Sequence, residues 1–337
     1  MRFRALGQTG LTVSELSLGG GFLGSWPDEG RVTAADSFKR ASQAVRRAVE
    51  LGINYIDTAP TYGESEAIIG QILPPNAAAP MIISTKLGGR PEPFNPRDRA
   101  GLRRSFEESL RLLRRESIDI LMVHEPDRPG FYDWWDDPVS FTGPVLDLLL
   151  ELKAEGLVRY IGLGGTTVYE LANLVRSGKF DVVLTAFNYS LLWREAEREI
   201  IPAAVERGMG IVVGSPLQQG ALAQRYDDEV RSAPWLSAPR RAQMKALYQL
   251  LDETDLPLSE LALRFVLSNS HVSCVLTGAR SNDEVEENIR AAEKGPLPAD
   301  LLKRLDDIAA MVPFRPFEEP SVLPFGQPYR GPGKARR

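Results

Sequence analysis

The chain has 337 residues, of which 43% are hydrophobic and 25% charged, with 40 basic and 45 acidic side chains and a net charge of −5. That length suits one large domain or two ordinary ones, and the composition is ordinary for a soluble globular protein. The slight acidic excess argues against nucleic-acid or anionic-membrane partners. Cys274 is the single cysteine, so no internal disulfide framework is possible. Its apolar neighbours Val272, Val275 and Leu276 read as the setting of a buried core thiol. The start, Met1-Arg2-Phe3-Arg4, lacks the apolar run of a signal peptide, and no stretch approaches the roughly 20 apolar residues of a membrane span. A cytoplasmic protein is expected.

Residues 2–6 and 11–18 form an expected hairpin about Gln8-Thr9-Gly10. Gly19 to Gly24 then match G-x-G-x-x-G, but Pro27 stands where the helix of a dinucleotide fingerprint should grow, so a glycine-rich turn is the better reading. A helix is expected over 35–51, with Phe38, Ala41, Val45, Ala48 and Val49 on one face and Gly52 as its stop. A strand at 53–56 and a helix at 65–73 follow, with Ser65 as N-cap. The rhythm repeats: strand 81–85 ending on Lys86, helix 97–114, strand 118–123 ending on His124, helix 145–153, and strand 158–163 running into Gly164-Gly165. Next come helix 168–176, strand 181–187, helix 194–207, and strand 210–214 leading to Ser215-Pro216-Leu217. A long insertion carries a polar helix near 241–251. Helix 259–267, strand 272–276 and helix 282–293 complete the series.

Seven strands from Ile53 onward, with an eighth at 16–18, alternate with helices over about 300 residues. This predicts a single-domain (β/α)8 TIM barrel, with an N-terminal β-hairpin and long loops at the C-terminal face. A doubly wound sheet is the alternative, but it would want its glycine fingerprint to open a helix. The tail, 313–337, is rich in Pro and Gly and reads as a loop with a frayed end. The loops 125–143 (with Phe131, Tyr132, Trp134 and Trp135) and 218–237 (with Tyr226 and Trp235) both follow strand ends. Each either lines a pocket or packs itself down.

Asp57, Lys86 and His124 stand at three successive strand ends, and Tyr62 lies in the turn after the first. Singly, each has a structural explanation. Together they converge on one mouth. A phenol near pKa ~10 is a weak acid at neutral pH. An adjacent lysine favours the phenolate and is expected to lower that value, and a carboxylate holds the lysine charged. A histidine can orient a substrate oxygen. This equipment suits carbonyl–alcohol interconversion. No metal-ligand spacing links His124 with His271, so no metal is expected.

These residues resemble the aldo-keto reductase family, and the resemblance runs from Gly7, Thr9 and Gly10 to Glu287-Asn288. Gly52-Ile53-Asn54-Tyr55-Ile56-Asp57-Thr58-Ala59-Pro60-Thr61-Tyr62-Gly63 follows the family's G-x-x-x-x-D-T-A-x-x-Y-G. Ser84-Thr85-Lys86 and Met122-Val123-His124 match its lysine and histidine strands. The resemblance implies an extended nicotinamide dinucleotide, NAD(H) or NADP(H), across the C-terminal face. It assigns Gly21, Phe22 and Asp57 to that ligand, with Ser215, Pro216, Leu217 and Gly220 as a pyrophosphate loop. Gly278, Arg280, Glu284, Glu287 and Asn288 would sit at the adenosine end.

The chain departs from the family where the nicotinamide ring should sit. Gly164-Gly165 replace a Ser-Asn pair. Ala186 replaces a glutamine, with Asn188 as substitute. Gly214 replaces a stacking aromatic. These changes are similar to the branch near L-galactose and aldose 1-dehydrogenases. Gly278 and Glu284 stand where many members aim a lysine and an arginine at a 2′-phosphate. An anionic Glu284 favours NAD(H), whereas Arg280 could still receive a phosphate.

The expected activity is an NAD(P)(H)-dependent oxidoreductase acting on an aldehyde, ketone, hemiacetal or sugar, with Phe22, Trp26, Trp134 and Trp135 walling the small-molecule substrate. Two alternatives remain: a cofactor-binding regulatory subunit of the same type, as in potassium-channel β subunits, and a barrel hydrolase pairing Asp57 with Glu125.

Overall fold

Apolar runs of three to eight residues, bounded by glycine or polar turns, become the strands of this protein, and longer amphipathic stretches become its helices. The computed structural model describes residues 1–23, 34–73, 81–128, 130, 132–315, 319 and 323–326, with residues 34–37 described in their backbone alone. The elements run β1 (Phe3–Ala5), β2 (Thr12–Ser14), β3 (Leu16–Gly19), α1 (Ala34–Glu50), β4 (Tyr55–Asp57), α2 (Ser65–Ile72), β5 (Ile82–Leu87), α3 (Arg99–Leu113) and β6 (Ile118–His124). There follow α4 (Pro144–Ala154), β7 (Val158–Gly165), α5 (Tyr169–Arg176), β8 (Val182–Ala186), α6 (Glu195–Arg198), α7 (Ile200–Glu206) and β9 (Gly210–Gly214). The last are α8 (Asp227–Ser232), α9 (Ala238–Thr254), α10 (Leu258–Ser268), β10 (Cys274–Thr277), α11 (Asn282–Glu293) and α12 (Ala299–Ala310).

Strands β3 to β10 close into a barrel of eight parallel strands, β10-β3-β4-β5-β6-β7-β8-β9, which is the (β/α)8 architecture. Two apolar layers result. Tyr55, Ile82, Ile120, Met122, Val182, Leu184, Val212 and Cys274 fill the barrel's interior, and the second, larger core lies between strands and helices. Cys274 is fully buried, and burial pushes its thiol up to about 12. It is therefore an inert core residue. No described helix is long and apolar enough to cross a membrane.

The N-terminal hairpin pairs β1 with β2 and plugs the barrel's lower end. Leu6, Leu11 and Val13 join the interior cluster, Gln8 donates its N–H to Gly208 O at 2.9 Å, and the Tyr160 hydroxyl reaches Thr9 O. The expected single strand over 11–18 is broken at Glu15. That residue is 2% exposed, and its carboxylate takes Arg2 Nε at 2.6 Å and Arg4 Nη2 at 3.1 Å. A buried carboxylate must be paired, so the chain turns there from hairpin into barrel.

Other departures have local causes. The helix expected over 194–207 divides at Glu199 into α6 and α7, because Pro202 cannot donate to, and clashes with, a carbonyl four residues back. Ser65 is not an N-cap: Glu64 holds that position, and Ser65 Oγ instead donates to Gly20 O at 2.9 Å, tying α2 to the end of β3. The insertion holds α8 as well as α9, and α9 starts earlier than expected because Ser237 caps it, accepting from Arg240 N. Helix α12 has no counterpart in the sequence reading.

Candidate active site

The barrel's register sets the site. Strands alternate their side chains in and out, and β4 and β5 pair with Asp57 beside Ser84. Tyr55 and Asp57 on one strand, and Ser84 and Lys86 on the next, therefore all point into the barrel's upper end. Lys86 Nζ donates to Asp57 Oδ2 at 2.6 Å and to Thr58 O at 2.7 Å. Ser84 Oγ donates to Asp57 Oδ1 at 2.6 Å, and the Tyr55 hydroxyl lies 2.9 Å from Ser84 Oγ. Lys86 is 1% exposed and Asp57 2%. Gly164 on β7 keeps this space free, since a Cβ there would come within 3.2 Å of Lys86 Cε.

Two of the three ammonium protons are thus committed, and the third side faces Tyr62, whose ring centroid is 4.9 Å from Nζ. The Ala59–Tyr62 turn carries Pro60 at its second position and closes with Tyr62 N donating to Ala59 O at 3.1 Å. Gly63, in the left-handed region at φ 55°, then leads into α2. His124 ends β6, and its ring meets Tyr62 edge-on, with centroids 5.7 Å apart and planes at 87°. Trp134 Nε1 donates to His124 O at 3.1 Å, and Thr61 Oγ1 lies 3.3 Å from His124 Nδ1. The four residues that the sequence brought together do share one mouth.

The electrostatics correct one expectation. Burial raises the Tyr62 phenol above its ordinary value, and Lys86 offsets only part of that rise. Desolvation of the phenolate outweighs the nearby cation, so Lys86 limits the phenol's pKa rather than bringing it below normal. Burial also works to strip Lys86 of its charge, but Asp57 and Tyr62 outweigh it, and the ammonium is held above its usual range. Burial, with Lys86 behind it, pulls His124 down to about 3, so its imidazole is neutral throughout the physiological range.

The remaining expected residues are distributed around the strand exits. Gly21 faces the Tyr62 ring, 3.8 Å from where its Cβ would be, and Phe22 packs over Gly278, bridging the ends of β3 and β10. Gly165 abuts Asp127, whose Oδ2 accepts Thr166 N and Thr167 N at 2.8 and 2.5 Å. Among the described residues, Asn188 Nδ2 makes only long contacts, 3.4 Å each to Thr167 O and Thr185 Oγ1. Ser215, Pro216, Leu217 and Gly220 form the turn after β9. Glu287 and Asn288 share the face of α11 that carries Glu284, one turn along. Glu125, Phe187 and Ser215, each directly beyond a barrel strand, adopt left-handed backbones at φ 48°, 68° and 55°. Such strain gathers where a chain is over-determined by its surroundings.

Trp26 and Phe131 lie outside the described residues. Trp134 and Trp135 are both buried and form their loop's own core: Trp134 packs on Phe94 and Tyr132, and Trp135 on Phe141 and Phe180. Tyr226 stacks on Phe325 at 5.0 Å, with Trp235 edge-on to the same ring. Sequence reasoning missed Tyr55, Ser84 and Thr61. The first two were legible as inward neighbours, two residues before Asp57 and Lys86.

One mouth of the parallel barrel thus carries a phenol, an amine, a carboxylate and a neutral imidazole. The chain belongs to the aldo/keto reductase family, whose model matches residues 15–310. It is similar to pyridoxal 4-dehydrogenase of Microbacterium luteolum, at 32% identity over 85% of this chain and 91% of that one. It is also similar to L-galactose dehydrogenase of Arabidopsis thaliana, at 33% identity over 86% and 88%. Among solved structures it matches the holo form of aldo-keto reductase AKR11C1 from Bacillus halodurans, with a TM-score of 0.74 and 29% identity over 92% of this chain and 96% of that one.

The buried ion pair can be tested without any substrate. Asp57→Asn leaves Lys86 buried without its counter-charge, and unfolding in urea should show a loss of about 3–5 kcal/mol. Adding Lys86→Met should restore a substantial part of it. Additive losses in the double variant would contradict the pairing.

Proposed function

We propose that the protein interconverts a carbonyl (an aldehyde, ketone or sugar hemiacetal/lactone) and an alcohol, using a nicotinamide cofactor with a preference for NAD(H). The observation that carries this reading is the contact of Tyr62 with a lysine whose charge Asp57 secures. In the reductive direction Tyr62 gives its proton to the substrate oxygen, and Lys86 stabilises the phenolate that remains. Neutral His124 donates an N–H to the same oxygen and positions it. In the oxidative direction the phenolate takes the alcohol's proton. The relatives named above act on pyridoxal and L-galactose, and we extend from them a small carbonyl or sugar substrate.

The residues present fit such a cofactor. Among the described residues, Thr166 Oγ1 and Gln218 Oε1 are buried near the exits of β7 and β9 with hydrogen-bonding capacity unspent, and Asn188 is loosely held. Those are groups that a carboxamide or phosphate would satisfy. Gly164 and Gly214 present no side chains of their own at the exits of β7 and β9. The nicotinamide, when bound, would supply or accept hydride. Gly21 and Phe22 would border it, and the Ser215–Gly220 turn and the start of α11 would hold its phosphates. At α11, Ser281 Oγ accepts Glu284 N at 3.2 Å, and the Glu284 carboxylate accepts Arg280 N at 2.7 Å. That carboxylate occupies the helix N-terminus where a 2′-phosphate would need to sit, which favours NAD(H).

Tyr62→Phe should lower kcat at least ~100-fold on a panel of aldehydes and aldoses, while the Kd for NADH, read by fluorescence quenching, stays within about threefold of wild type. Unchanged turnover would exclude this mechanism. Tight cofactor binding in a wild type that turns over nothing would instead support a regulatory subunit. Glu284→Arg should shift the ratio of kcat/KM for NADPH over NADH by about tenfold or more toward NADPH. A wild type that already favours NADPH tenfold would overturn the cofactor preference.

A further inference from the structure

Neutral imidazole carries a single N–H, on one nitrogen or the other. Donation to a substrate oxygen requires that proton on the nitrogen facing the mouth, and the tautomer is set by whatever the other nitrogen meets. A backbone carbonyl or carboxylate at Nδ1 could only accept, and would draw the proton there. In this protein Nδ1 of His124 meets the Thr61 hydroxyl at 3.3 Å, a group able to donate.

We infer that Thr61 is a positioning residue for His124: its hydroxyl donates to Nδ1, which keeps the ring's proton on Nε2 and aims that N–H at the substrate oxygen. This deepens the function proposed above and rests on it for the role of His124.

The local backbone is built to allow the approach. Thr61 sits in the Ala59–Tyr62 turn, so the same four residues that place the phenol also place the hydroxyl. Opposite, Gly88 and Gly89 follow β5 with φ of 148° and 75°. A Cβ on Gly89 would lie 2.4 Å from Thr61 Cγ2, and one on Gly88 would lie 2.9 Å from His124 Cβ. A side chain at Gly89 would displace Thr61, and one at Gly88 would displace His124. On its other side His124 is anchored through its carbonyl by Trp134 Nε1 at 3.1 Å. The imidazole is therefore fixed at its backbone by the indole and at Nδ1 by the hydroxyl. A β-branched threonine adds a stiff χ1, which holds that hydroxyl in one direction. The reverse polarity, Nδ1–H donating to Thr61, would leave Nε2 as a bare lone pair facing a carbonyl oxygen.

The chain contains two histidines, so histidine-selective 15N labelling gives a spectrum with a built-in reference. Long-range proton–nitrogen correlation on the free protein at pH 7 should show His124 as a single tautomer protonated at Nε2. In Thr61→Val, which keeps the shape and removes the hydroxyl, the Nδ1 resonance should move and the second tautomer should appear, with an unchanged melting temperature as the sign of an intact fold. Thr61→Ser should restore the wild-type spectrum. Turnover should follow, with kcat/KM down about tenfold in Thr61→Val and recovered in Thr61→Ser. A wild-type ring protonated at Nδ1, or a Thr61→Val spectrum identical to wild type, would overturn the assignment. The tautomer is read without substrate, so a protein that reduces no carbonyl would count against the proposed function and leave this result standing.

Discussion

An ammonium and a carboxylate, 2.6 Å apart and almost wholly removed from water, sit at the upper end of a barrel whose interior is filled mainly by apolar side chains. Burying two charges is expensive, and the mutual attraction recovers that cost only when the remaining hydrogen bonds are also met. Here Thr58 O, Ser84 and Tyr55 complete the set. A well-packed apolar pair would serve stability as well or better. We therefore read the pair as the support of Tyr62, because it presents a fixed positive charge that limits the rise burial imposes on the phenol.

The rest of the molecule is arranged so that this support stays rigid while the surrounding loops carry the strain. The hairpin closes the bottom and the parallel ladder fixes the register, so Asp57 and Lys86 cannot slip relative to one another without turning every neighbouring side chain to the wrong face. Above them, three strands exit through left-handed residues. Phe187, one of these, is held from two sides: its carbonyl accepts Gln218 Nε2 at 3.1 Å and Arg315 Nη2 at 3.4 Å. The C-terminal segment joins in through Arg240, which pairs with Glu319 at 2.8 Å, and through Phe325 against Tyr226. The turn after β9 is thereby braced by residues from the far end of the chain.

Much of this was legible in the sequence, for physical reasons. Strands ending on Asp57, Lys86 and His124 violate the apolar pattern at the one place where a barrel tolerates it, so the site announced itself together with the fold. What escaped depended on quantities that a pattern does not carry. The direction of the Tyr62 shift is a contest between desolvation and a nearby cation, and only geometry decides it. Trp134 and Trp135 read as pocket walls by position, and the degree of their burial within the loop's own packing is not something a pattern carries. Helix α12 was missed although Leu301, Leu305 and Ile308 have helical spacing after Pro298. The series of elements expected from the sequence closes at helix 282–293 and the loop-like tail begins at 313, with the residues between unassigned. Thr61 is an unremarkable turn residue until Gly88 and Gly89 are seen to make room for its approach to His124.

The central claim is that the Lys86 charge limits the rise that burial imposes on the Tyr62 phenol. The direct measurement is a pH titration of tyrosine labelled with 13C at the ring carbon bearing oxygen, with the Tyr62 signal assigned from Tyr62→Phe, in wild type and in Lys86→Met. The account predicts that Tyr62 ionises at distinctly higher pH once the cation is gone. The same ionisation in both proteins would contradict it.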